Sequence, residues 1–496
     1  MQKQFIIGTR GSLLAVTQCE LIRDEIQNKT GAKFNLKKIT TQGDQRTDKP
    51  LWQLEGKDFF TKELDAELLA KKIDLVVHSY KDLGSDRPEG IQLASITKRE
   101  YAHDILLIKE DTIAKIQNRD QLIIGTSSPR RIVNIESTLK EYLPYQKAAI
   151  HCKTLRGNVN TRIQKLRDGE FDAIVLAYAG LERLASSTES KKTLESLLEG
   201  INFMVLPQKA FPSSASQGAL AIELANTRDD DLVKILKTVE CKDTIAEISR
   251  ERKAFATYGG GCHLAVGIHV KKIHNYFVHI QKGKVDDQSI YKLELEGYDY
   301  SQLKDLKVYY MYGENDFLLK KEPISTTESN HQTNIFVTSS YCFHNINDAK
   351  TLWSAGTRTM RKLAQKGFWV NGSAEGFGHE ELYKFQKSNL MQIFLKKTNS
   401  WKVLSHDKAS SPLGEVIASY SHQITPDMTD LNHEIFQTDI IFWNSFIQYE
   451  TYLKHYPQLK NKKHACGLGK TLKKFQNEGI DVIPVIDMNH LKNLLK

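Results

Sequence analysis

Cysteine, proline and long apolar runs are all scarce in this sequence of 496 residues. The 6 cysteines include no CxxC pair, which argues against a disulfide framework or a zinc module, and we expect no metal site. No stretch approaches the roughly 18 apolar residues of a membrane span. The start MQKQFIIGTRGS has no apolar signal region. With 26% charged residues the composition is globular, so we expect a reduced, cytoplasmic protein without a membrane partner.

The length of the chain excludes a single compact unit. Domains usually hold about 100 to 200 residues, so this length predicts roughly three or four domains. The net charge of +9 is divided almost evenly between residues 1–300 and 301–496, so the sequence has no basic tail. Basic residues interleaved with aromatics along one face are not evident either. These patterns do not favour a nucleic-acid-binding protein.

Arginine is distributed quite differently from net charge. Of the 17 arginines, 15 precede residue 301, and only Arg358 and Arg361 follow it. A guanidinium group offers a planar fork that matches a carboxylate or a phosphate, whereas the lysine ammonium is a point charge. We therefore expect anion recognition in the first 300 residues.

Short apolar runs alternate with amphipathic stretches through about residue 225, for example FIIGT before LLAVTQCELIRDEIQ. This rhythm predicts α/β units whose parallel strands are covered on both faces. Helix N-caps are expected at Ser12, at Thr61 and at either Ser127 or Ser128. Between about 240 and 300, a helical segment, a glycine triplet and alternating segments predict a small α+β unit with a meander.

The last 190 residues or so contain a weak internal echo. TSS follows the apolar NIFV, and NS follows IIFW; each is later followed by a lysine-rich helical pattern that ends in glycine, at Gly367 and at Gly479. Aligning these glycines matches two further pairs, Thr359 with Thr471 and Lys362 with Lys474. The echo predicts two similar α/β lobes, although lysine-rich helices ending in glycine also match by chance.

The segment GTSSPRRIVNIE places backbone amides and the guanidinium groups of Arg130 and Arg131 at a strand-to-helix turn. Such a turn binds anions, and basic residues in a first turn oppose the helix dipole unless an anionic partner is present. The alternative is an ordinary capped helix with a solvated first turn. Further arginines near such junctions are Arg10, Arg156, Arg162 and Arg183. Each alone is compatible with a surface position, but together they suggest a ligand with several carboxylates.

Two further segments carry candidate chemistry. In VVHSYKDLGSD, Asp82 follows a buried strand beside Lys81. Such an aspartate either contacts cationic intermediates, transfers a proton or is an ordinary turn residue. In TYGGGCHLAVG, Cys262 follows three glycines and is a nucleophile, a covalent anchor or a buried small apolar residue. The residues alone leave these alternatives open.

Taken together, these segments resemble the porphobilinogen deaminase family, also called hydroxymethylbilane synthase. The matching pieces follow in family order across residues 5–270: IIGTRGSLLAVTQ, KDFFTKELDAELL, DLVVHSYKDL, IGTSSPRR, LRGNVNTRIQKL, DAIVLAYAGLERL, SQGALAIE and GGGCHLAVG. The resemblance, over residues 1–302, implies an α/β multidomain fold. It comprises two periplasmic-binding-protein-like α/β domains, about 1–100 plus 204–222 and about 101–203, and a small α+β domain of about 223–302 that carries the cysteine.

The resemblance also implies a reaction, in a monomer that binds porphobilinogen and polycarboxylate tetrapyrrole intermediates. Cys262 would hold a dipyrromethane cofactor through a thioether. This cofactor would prime the addition of four porphobilinogen molecules with loss of ammonia. Asp82 matches the catalytic aspartate, which suits cationic pyrrole intermediates. The residues matched to cofactor contacts are Ser79, Lys81, Thr126, Ser127, Ser128, Arg130, Arg131, Arg156 and Gly157. Those matched to substrate contacts are Arg10, Ser12, Gln18, Arg162, Arg183 and, on a loop near the active site, Lys57 and Phe60.

The sequence departs from the family pattern at three places. Gly84 stands where the family usually has proline after KDL, Ser216 stands where it usually has glycine before QGAL, and Pro129 precedes Arg130. These differences alter backbone stiffness more than chemistry. They therefore bear on rate and loop geometry rather than on the reaction.

Residues 303–496 resemble uroporphyrinogen-III synthase, a two-lobed lyase that acts next in porphyrin and heme biosynthesis. The resemblance rests on the repeated segments and on WKVLSHDKASSPLGEVIASY, which we interpret as the strand and helix that open the second lobe. We expect a fused, active synthase; the alternative is a degenerate lobe pair retained for docking or stability. For the whole chain, a solute-binding protein is the alternative of another class, and the missing signal peptide and the cysteine loop count against it.

Overall fold

The computed structural model describes residues 4–41, 61–84, 87–227, 230–261, 264–326, 333–346, 348–395, 400–425 and 433–495. Within these ranges the chain forms five β-sheets with helices packed against them, so the predicted α/β multidomain class is confirmed. No helix in the described part of the chain is long and apolar enough to cross a membrane.

The first domain begins with alternating strands and helices. They are β1 (Gln4–Arg10), α1 (Leu13–Thr30), β2 (Lys33–Ile39), α2 (Lys62–Leu69), β3 (Leu75–Ser79) and β4 (Ile91–Ile96). The Ser12 hydroxyl caps α1 by accepting a hydrogen bond from the amide of Ala15 at 3.4 Å. Thr61 and Ser128 also occupy N-cap positions, but neither side chain makes the capping bond. A 3-10 turn, Tyr80–Asp82, directly follows β3 and places Asp82 at the carboxyl edge of the sheet.

The second domain repeats this alternation. Its elements are β5 (Asp104–Lys109), α3 (Glu110–Ala114), β6 (Gln121–Gly125), α4 (Pro129–Thr138), β7 (Ala149–Lys153), α5 (Val159–Arg167), β8 (Ala173–Ala177), α6 (Tyr178–Ser186), α7 (Thr188–Leu197) and β9 (Ile201–Val205). Strands β5 and β8 are buried along almost their whole length, as expected for central strands covered on both faces.

The chain next completes the first domain and forms a small third one. The elements are β10 (Leu220–Ala225), α8 (Asp230–Lys237), α9 (Lys242–Thr257), β11 (Ala265–Ile273), β12 (Tyr276–Val285) and β13 (Gln288–Glu296). Strands β11, β12 and β13 pair as an antiparallel meander beside α9. This is the small α+β unit that the pattern between 240 and 300 predicts.

Two chain crossings join the first and second domains. The first sheet has the order β2-β1-β3-β10-β4 and the second the order β7-β6-β8-β5-β9, each with one strand antiparallel to both of its neighbours. Because β10 belongs to the first sheet, the chain leaves that sheet through residues 97–103 and returns through residues 206–219. We call these segments the outward crossover and the return crossover.

The tail after residue 303 folds into two lobes. Its elements are β14 (Val308–Tyr310), β15 (Leu319–Pro323), β16 (Asn334–Val337), β17 (Thr351–Ser354), α10 (Thr357–Gln365), β18 (Gly372–Ser373), α11 (Glu380–Gln386), α12 (Asn389–Leu395), β19 (Trp401–His406), β20 (Glu415–Ile424), α13 (Glu434–Gln437), β21 (Ile440–Trp443), α14 (Phe446–His455), β22 (Lys463–Gly467), α15 (Lys470–Asn477), β23 (Ile483–Val485) and α16 (Met488–Leu494). The sheet β15-β20-β19-β16-β17-β18 forms what we call the central lobe, and the sheet β14-β21-β22-β23 forms the terminal lobe.

One expectation for the tail is wrong. The segment WKVLSHDKASSPLGEVIASY is β19 followed by β20, two strands inside the central lobe, rather than a strand and helix that open the second lobe. The β-branched Val416 and Ile417 favour an extended backbone, and β20 is hydrogen-bonded to strands on both sides. The terminal lobe opens instead at β14, so its sequence is interrupted by the whole central lobe.

The echo corresponds to equivalent parts of the two lobes. In each lobe the polar turn follows a buried strand, β16 or β21, and the lysine-rich pattern forms a helix, α10 or α15. Gly367 and Gly479 follow these helices with φ of 93° and 66°. Left-handed glycine is a common helix terminator, which explains why both patterns end there.

The tail packs tightly against the preceding domains. The second domain and the central lobe share a hydrophobic core, in which the ring centroids of Phe203 and Trp353 are 6.1 Å apart. The meander of the small domain and the terminal lobe share another core, which contains Ile280 and Trp443. The two halves of the chain are therefore one packed structure.

Candidate active site

A cleft of about 800 Å³ lies between the first and second domains. Strand and helix ends from both domains line it, because β1, β3, β7 and β8 all end at this opening. Eleven of the residues predicted from the sequence line the cleft: Arg10, Ser12, Gln18, Ser79, Lys81, Asp82, Arg131, Arg156, Gly157, Arg162 and Arg183. The structure thus brings together residues that are up to 173 positions apart in the sequence.

The cleft is strongly cationic. Seven basic side chains from the described part of the chain line it: Arg10, Lys81, Arg131, Arg156, Lys165, Arg162 and Arg183. Among the described residues of the lining, Asp82 supplies the single carboxylate, and its side chain is exposed to the opening. A cluster of like charges between low-dielectric walls attracts ligands of the opposite sign. The lining is therefore suited to a ligand with several negative charges.

The arginines interact with one another as well as with solvent. Burial, together with the positive charges of Arg131 and Arg156, lowers the pKa of Arg162 to about 10, while Asp82 opposes the shift. Burial also lowers the pKa of Arg183 to about 10. The Arg183 guanidinium donates a hydrogen bond to the carbonyl of Gly218 at 2.6 Å, which fixes its orientation. An anionic ligand would relieve this repulsion between buried cations.

Lys81 lies beside Asp82 and is held in place from the return crossover. Its Nζ donates a hydrogen bond to Oε1 of Gln217 at 3.3 Å. Burial lowers the pKa of Lys81 to about 8, although the nearby Asp82 favours the charged form. Also in the cleft lining, Gln18 donates to the Ser79 hydroxyl at 3.0 Å. These hydrogen bonds fix the polar side chains that precede Asp82 in the cleft lining.

The anionic partner that Arg130 and Arg131 require is Asp104. Arg131 grips its carboxylate with two nitrogens, at 2.6 Å and 3.1 Å, and Arg130 donates to it at 2.8 Å. Burial by itself would raise the pKa of Asp104, but the two guanidinium groups outweigh burial and hold it well below its usual range. Sequence reasoning missed Asp104. The available signal was a charged residue at the start of the buried apolar run DILLIK.

Four predicted residues lie behind the cleft rather than in its lining. Arg130 is buried and also donates to the carbonyl of Pro212 at 2.8 Å. The Ser127 hydroxyl donates to the carbonyl of Leu155 at 2.7 Å, which steadies the loop that carries Arg156. Thr126 accepts a hydrogen bond from the amide of Ser128 within the same turn. Their predicted cofactor contacts stay predictions. Lys57, Phe60 and Cys262 lie outside the described residues.

Two glycines allow close approach of the backbone at the cleft. Gly157 has φ of 113°, and a Cβ there would lie 2.8 Å from the Thr161 side chain. Gly218 has φ of 94°, and a Cβ there would lie 2.5 Å from the carbonyl oxygen of Glu100. Both positions therefore require glycine.

The residues present fit the dipyrromethane that the resemblance implies. A dipyrromethane of this family carries acetate and propionate side chains, and guanidinium groups bind carboxylates through paired hydrogen bonds. Arg131, Arg156 and Lys81 line the cleft together with Asp82, and they would hold such a group. The proposed anchor, Cys262, is known from the sequence alone.

A second and larger cleft, of about 2050 Å³, opens in the tail. Of the residues that the structure describes, ten lysines and arginines and four acidic residues line it, and both arginines of the tail, Arg358 and Arg361, are among them. The lining also includes the polar turns of the echo and its paired threonines and lysines, namely Thr338, Ser339, Ser340, Thr359, Lys362, Asn444, Ser445, Thr471 and Lys474. The repeated segments therefore face the same opening from the two lobes.

A cationic cleft between two α/β domains, with one exposed carboxylate, is suited to a polyanionic ligand and holds a candidate acid–base or electrostatic group. Comparison with known proteins identifies the family. Residues 5–234 match the family model described as porphobilinogen deaminase, dipyromethane cofactor binding domain. Porphobilinogen deaminase of Streptococcus sanguinis is 35% identical over 306 residues, which are 61% of this chain and 93% of that protein. Porphobilinogen deaminase of Oceanobacillus iheyensis is 37% identical over 267 residues, 53% of this chain and 79% of that protein.

The chain belongs to the porphobilinogen deaminase family. The matched region is the domain that binds the dipyrromethane cofactor, and it contains Asp82 and all the arginines that line the first cleft. A solved structure with local similarity is a polar amino acid ABC uptake transporter substrate binding protein from Streptococcus thermophilus. It is 14% identical, with a TM-score of 0.28 over 51% of this chain and 85% of that one. Likeness at this level supports no argument about function.

Proposed function

We propose that residues 1–302 are an active porphobilinogen deaminase, that is, a hydroxymethylbilane synthase. The enzyme would join four porphobilinogen molecules head to tail, release one ammonia at each step, and free the linear tetrapyrrole by hydrolysis. The observation that carries this proposal is the cleft in which seven cations surround Asp82, in a chain of this family. Porphobilinogen and its oligomers carry carboxylates on every ring, which matches that excess of positive charge.

The cleft residues would have two roles: the arginines would bind carboxylates, and Asp82 would stabilise positive charge. Arg10, Arg162 and Arg183 would bind the carboxylates of incoming porphobilinogen, while Arg131 and Arg156 would bind those of the dipyrromethane attached to Cys262. When bound, the dipyrromethane supplies a primer with a free pyrrole carbon that can form the new carbon–carbon bond. Loss of ammonia from the aminomethyl group of porphobilinogen leaves a positive charge on that pyrrole, which the Asp82 carboxylate would stabilise.

Substitution of Asp82 tests this assignment. Asp82→Asn preserves size and removes the negative charge, so the variant should keep its covalent cofactor and lose nearly all consumption of porphobilinogen. The matched control is Asp168→Asn, an exposed aspartate at the end of α5 that does not line the cleft, which should behave as wild type. Activity of Asp82→Asn equal to that of the control would remove the catalytic role of Asp82.

We further propose that the tail is a uroporphyrinogen-III synthase that cyclises the linear tetrapyrrole made by the first part. This proposal is supported by the two-lobed architecture with an interrupted terminal lobe and by the cationic cleft that the repeated segments line. The alternative is an inactive lobe pair that serves docking or stability, which the shared cores would also suit. Membership of the deaminase family counts against the solute-binding alternative.

The isomer formed by the purified chain separates these alternatives. Spontaneous closure of the linear product gives type I uroporphyrinogen, whereas an active synthase gives type III. We expect type III from porphobilinogen and the full chain alone. Type I alone would mean that the tail is inactive.

We also propose that the chain works as a cytoplasmic monomer without nucleic-acid or membrane partners. Light scattering on the purified full chain should give a mass of about 56.6 kDa. A value near twice that mass would replace the monomer with a dimer.

A further inference from the structure

One carboxylate of the tail touches both crossovers between the first and second domains. Glu375 of the central lobe accepts hydrogen bonds from the backbone amides of Gln208 and Lys209, each at 2.9 Å. These residues belong to the return crossover. The same carboxylate lies 3.4 Å from Nε2 of His103, the last residue of the outward crossover. Glu375 thus joins the two chain segments on which any relative movement of the two domains depends.

Glu375 is buried and has a left-handed backbone conformation. The residue is only 5% exposed, and its backbone has φ of 54°, a left-handed conformation that non-glycine residues seldom adopt. Burial alone would raise the pKa of Glu375, but the bonds from His103 and the two amides lower it. The carboxylate is therefore charged at neutral pH, and its charge is matched to the donors of the crossovers.

The segments tied by Glu375 also carry the residues that position the cleft. Asp104, which directly follows His103, holds Arg131 through two hydrogen bonds. Gln217 of the return crossover donates to Asp104 at 2.9 Å and accepts from Lys81 at 3.3 Å. The amide of Leu206 donates to the carbonyl of Asp104 at 2.9 Å. Hydrogen bonds therefore connect the crossovers to Lys81 and Arg131, two of the cations that line the cleft with Asp82.

We propose that Glu375 is a positioning residue for the deaminase reaction, contributed by the tail. It clamps the two crossovers together, and so it sets the separation between Lys81 on the first domain and Arg131 on the second. The inference rests on the proposed deaminase function. It adds that the tail helps to build the substrate cleft of the other half of the chain, whether or not the tail is itself an enzyme.

A second buried contact between the halves provides a matched comparison. Ser388 of the central lobe bonds to Glu182 and lies 2.6 Å from the hydroxyl of Tyr178. Both partners lie on helix α6 of the second domain, and neither belongs to a crossover. Loss of the Ser388 hydroxyl should weaken the interface without loosening the connection between the domains.

The test compares Glu375→Ala, Glu375→Gln and Ser388→Ala in the full chain. We expect Glu375→Ala to raise the KM for porphobilinogen about tenfold and to change kcat less, because two carboxylate-binding cations lose their spacing. Glu375→Gln should recover part of the loss, since its amide oxygen still accepts one of the two backbone bonds. Ser388→Ala should leave KM unchanged. Thermal melting of all three variants reports any general loss of folding.

Hydrogen exchange makes the test independent of turnover. In Glu375→Ala, amides of residues 97–104 and 206–219 should exchange faster than in wild type, while Ser388→Ala should leave them unchanged. Unaltered exchange and unaltered KM in Glu375→Ala would overturn the inference. Equal effects of Glu375→Ala and Ser388→Ala would do the same, because the role would then be general stability. If Glu375→Ala exchanges faster than wild type but the wild-type chain itself consumes no porphobilinogen, the proposed function is refuted and the clamp stands.

Discussion

The two clefts of this chain share a plan and differ in chemistry. Each opens between α/β units that the chain crosses twice, and each carries an excess of positive charge. Among the described residues, five of the seven cations that line the first cleft are arginines, whereas eight of the ten that line the second are lysines. Guanidinium forks select the geometry of a carboxylate, while ammonium groups mainly supply charge. The arginines of the first cleft are therefore suited to fixing the orientation of a carboxylate, whereas the lysines of the second are suited to attracting an anion.

The two clefts also differ in how their cations are supported. Arg131 is buried and gripped by Asp104. Arg358 of the tail is exposed and lies with its guanidinium carbon 3.9 Å from the ring centroid of Tyr312. A side chain fixed by buried partners loses little entropy when it binds, and an exposed one loses more. Preorganised binding thus belongs to the half of the chain with the clear family match.

Removal of one arginine from each cleft should affect different reactions of the chain. Arg162→Met should lower kcat/KM for porphobilinogen by about 10- to 100-fold, because a charge-assisted hydrogen bond contributes about 1.5 to 3 kcal/mol. Arg358→Met should leave consumption of porphobilinogen unchanged and lower only the fraction of type III product. Steady-state kinetics and isomer analysis on both variants measure this. Equal effects of both variants on consumption would mean that the clefts are not separate sites.

The pH dependence of the first cleft should report Lys81. Its pKa of about 8 means that the ammonium loses its proton as the pH rises from about 7 to about 9, so KM for porphobilinogen should rise several-fold. The same shift makes folding more favourable over that range, because the unfolded chain keeps a proton that the folded chain has lost. Lys81→Arg should flatten the KM profile, since arginine stays charged. A profile unchanged by this substitution would show that another group titrates.

A smaller effect concerns the departure from the family pattern at Ser216. Ser216 has φ of 65°, is fully buried, and its hydroxyl has no hydrogen-bond partner among the described residues. Ser216→Gly should raise the free energy of unfolding by about 1 kcal/mol, because it removes both the strain and the buried hydroxyl. The control is Ser214→Gly, since Ser214 does not have positive φ. Chemical denaturation should show that the free energy of unfolding rises for Ser216→Gly and falls for Ser214→Gly.

The sequence predicted the first cleft well because its signals are local. Apolar strands followed by polar turns placed Arg10, Asp82 and Arg156 at strand ends, and parallel strands of one sheet end at the same edge. It did not predict Asp104 or the role of Gln217, because their importance depends on partners far along the chain. Arg130 shows the limit of the same reasoning: its place in a helix first turn suggested a ligand contact, and the structure gives it a buried protein partner.

The tail was harder to predict for physical reasons. Its terminal lobe is assembled from β14 and from strands more than a hundred residues later, so no contiguous segment carries the pattern of a complete lobe. Strand β20 has polar residues on a partly exposed face, so its sequence pattern is equally compatible with a helix. Its pairing with β15 and β19 identifies it as a strand. The packing of the tail on the first half, including the Glu375 clamp, depends on surfaces that no sequence period reveals.

The covalent state of the purified full chain tests the proposed function most directly. A porphobilinogen deaminase primed through Cys262 should have an intact mass greater than that of its sequence by two linked pyrrole units. Cys262→Ser should lack this increment, and the change should be visible by mass spectrometry of the whole protein. A wild-type chain of unmodified mass, which stays unmodified after incubation with porphobilinogen, would contradict the assignment.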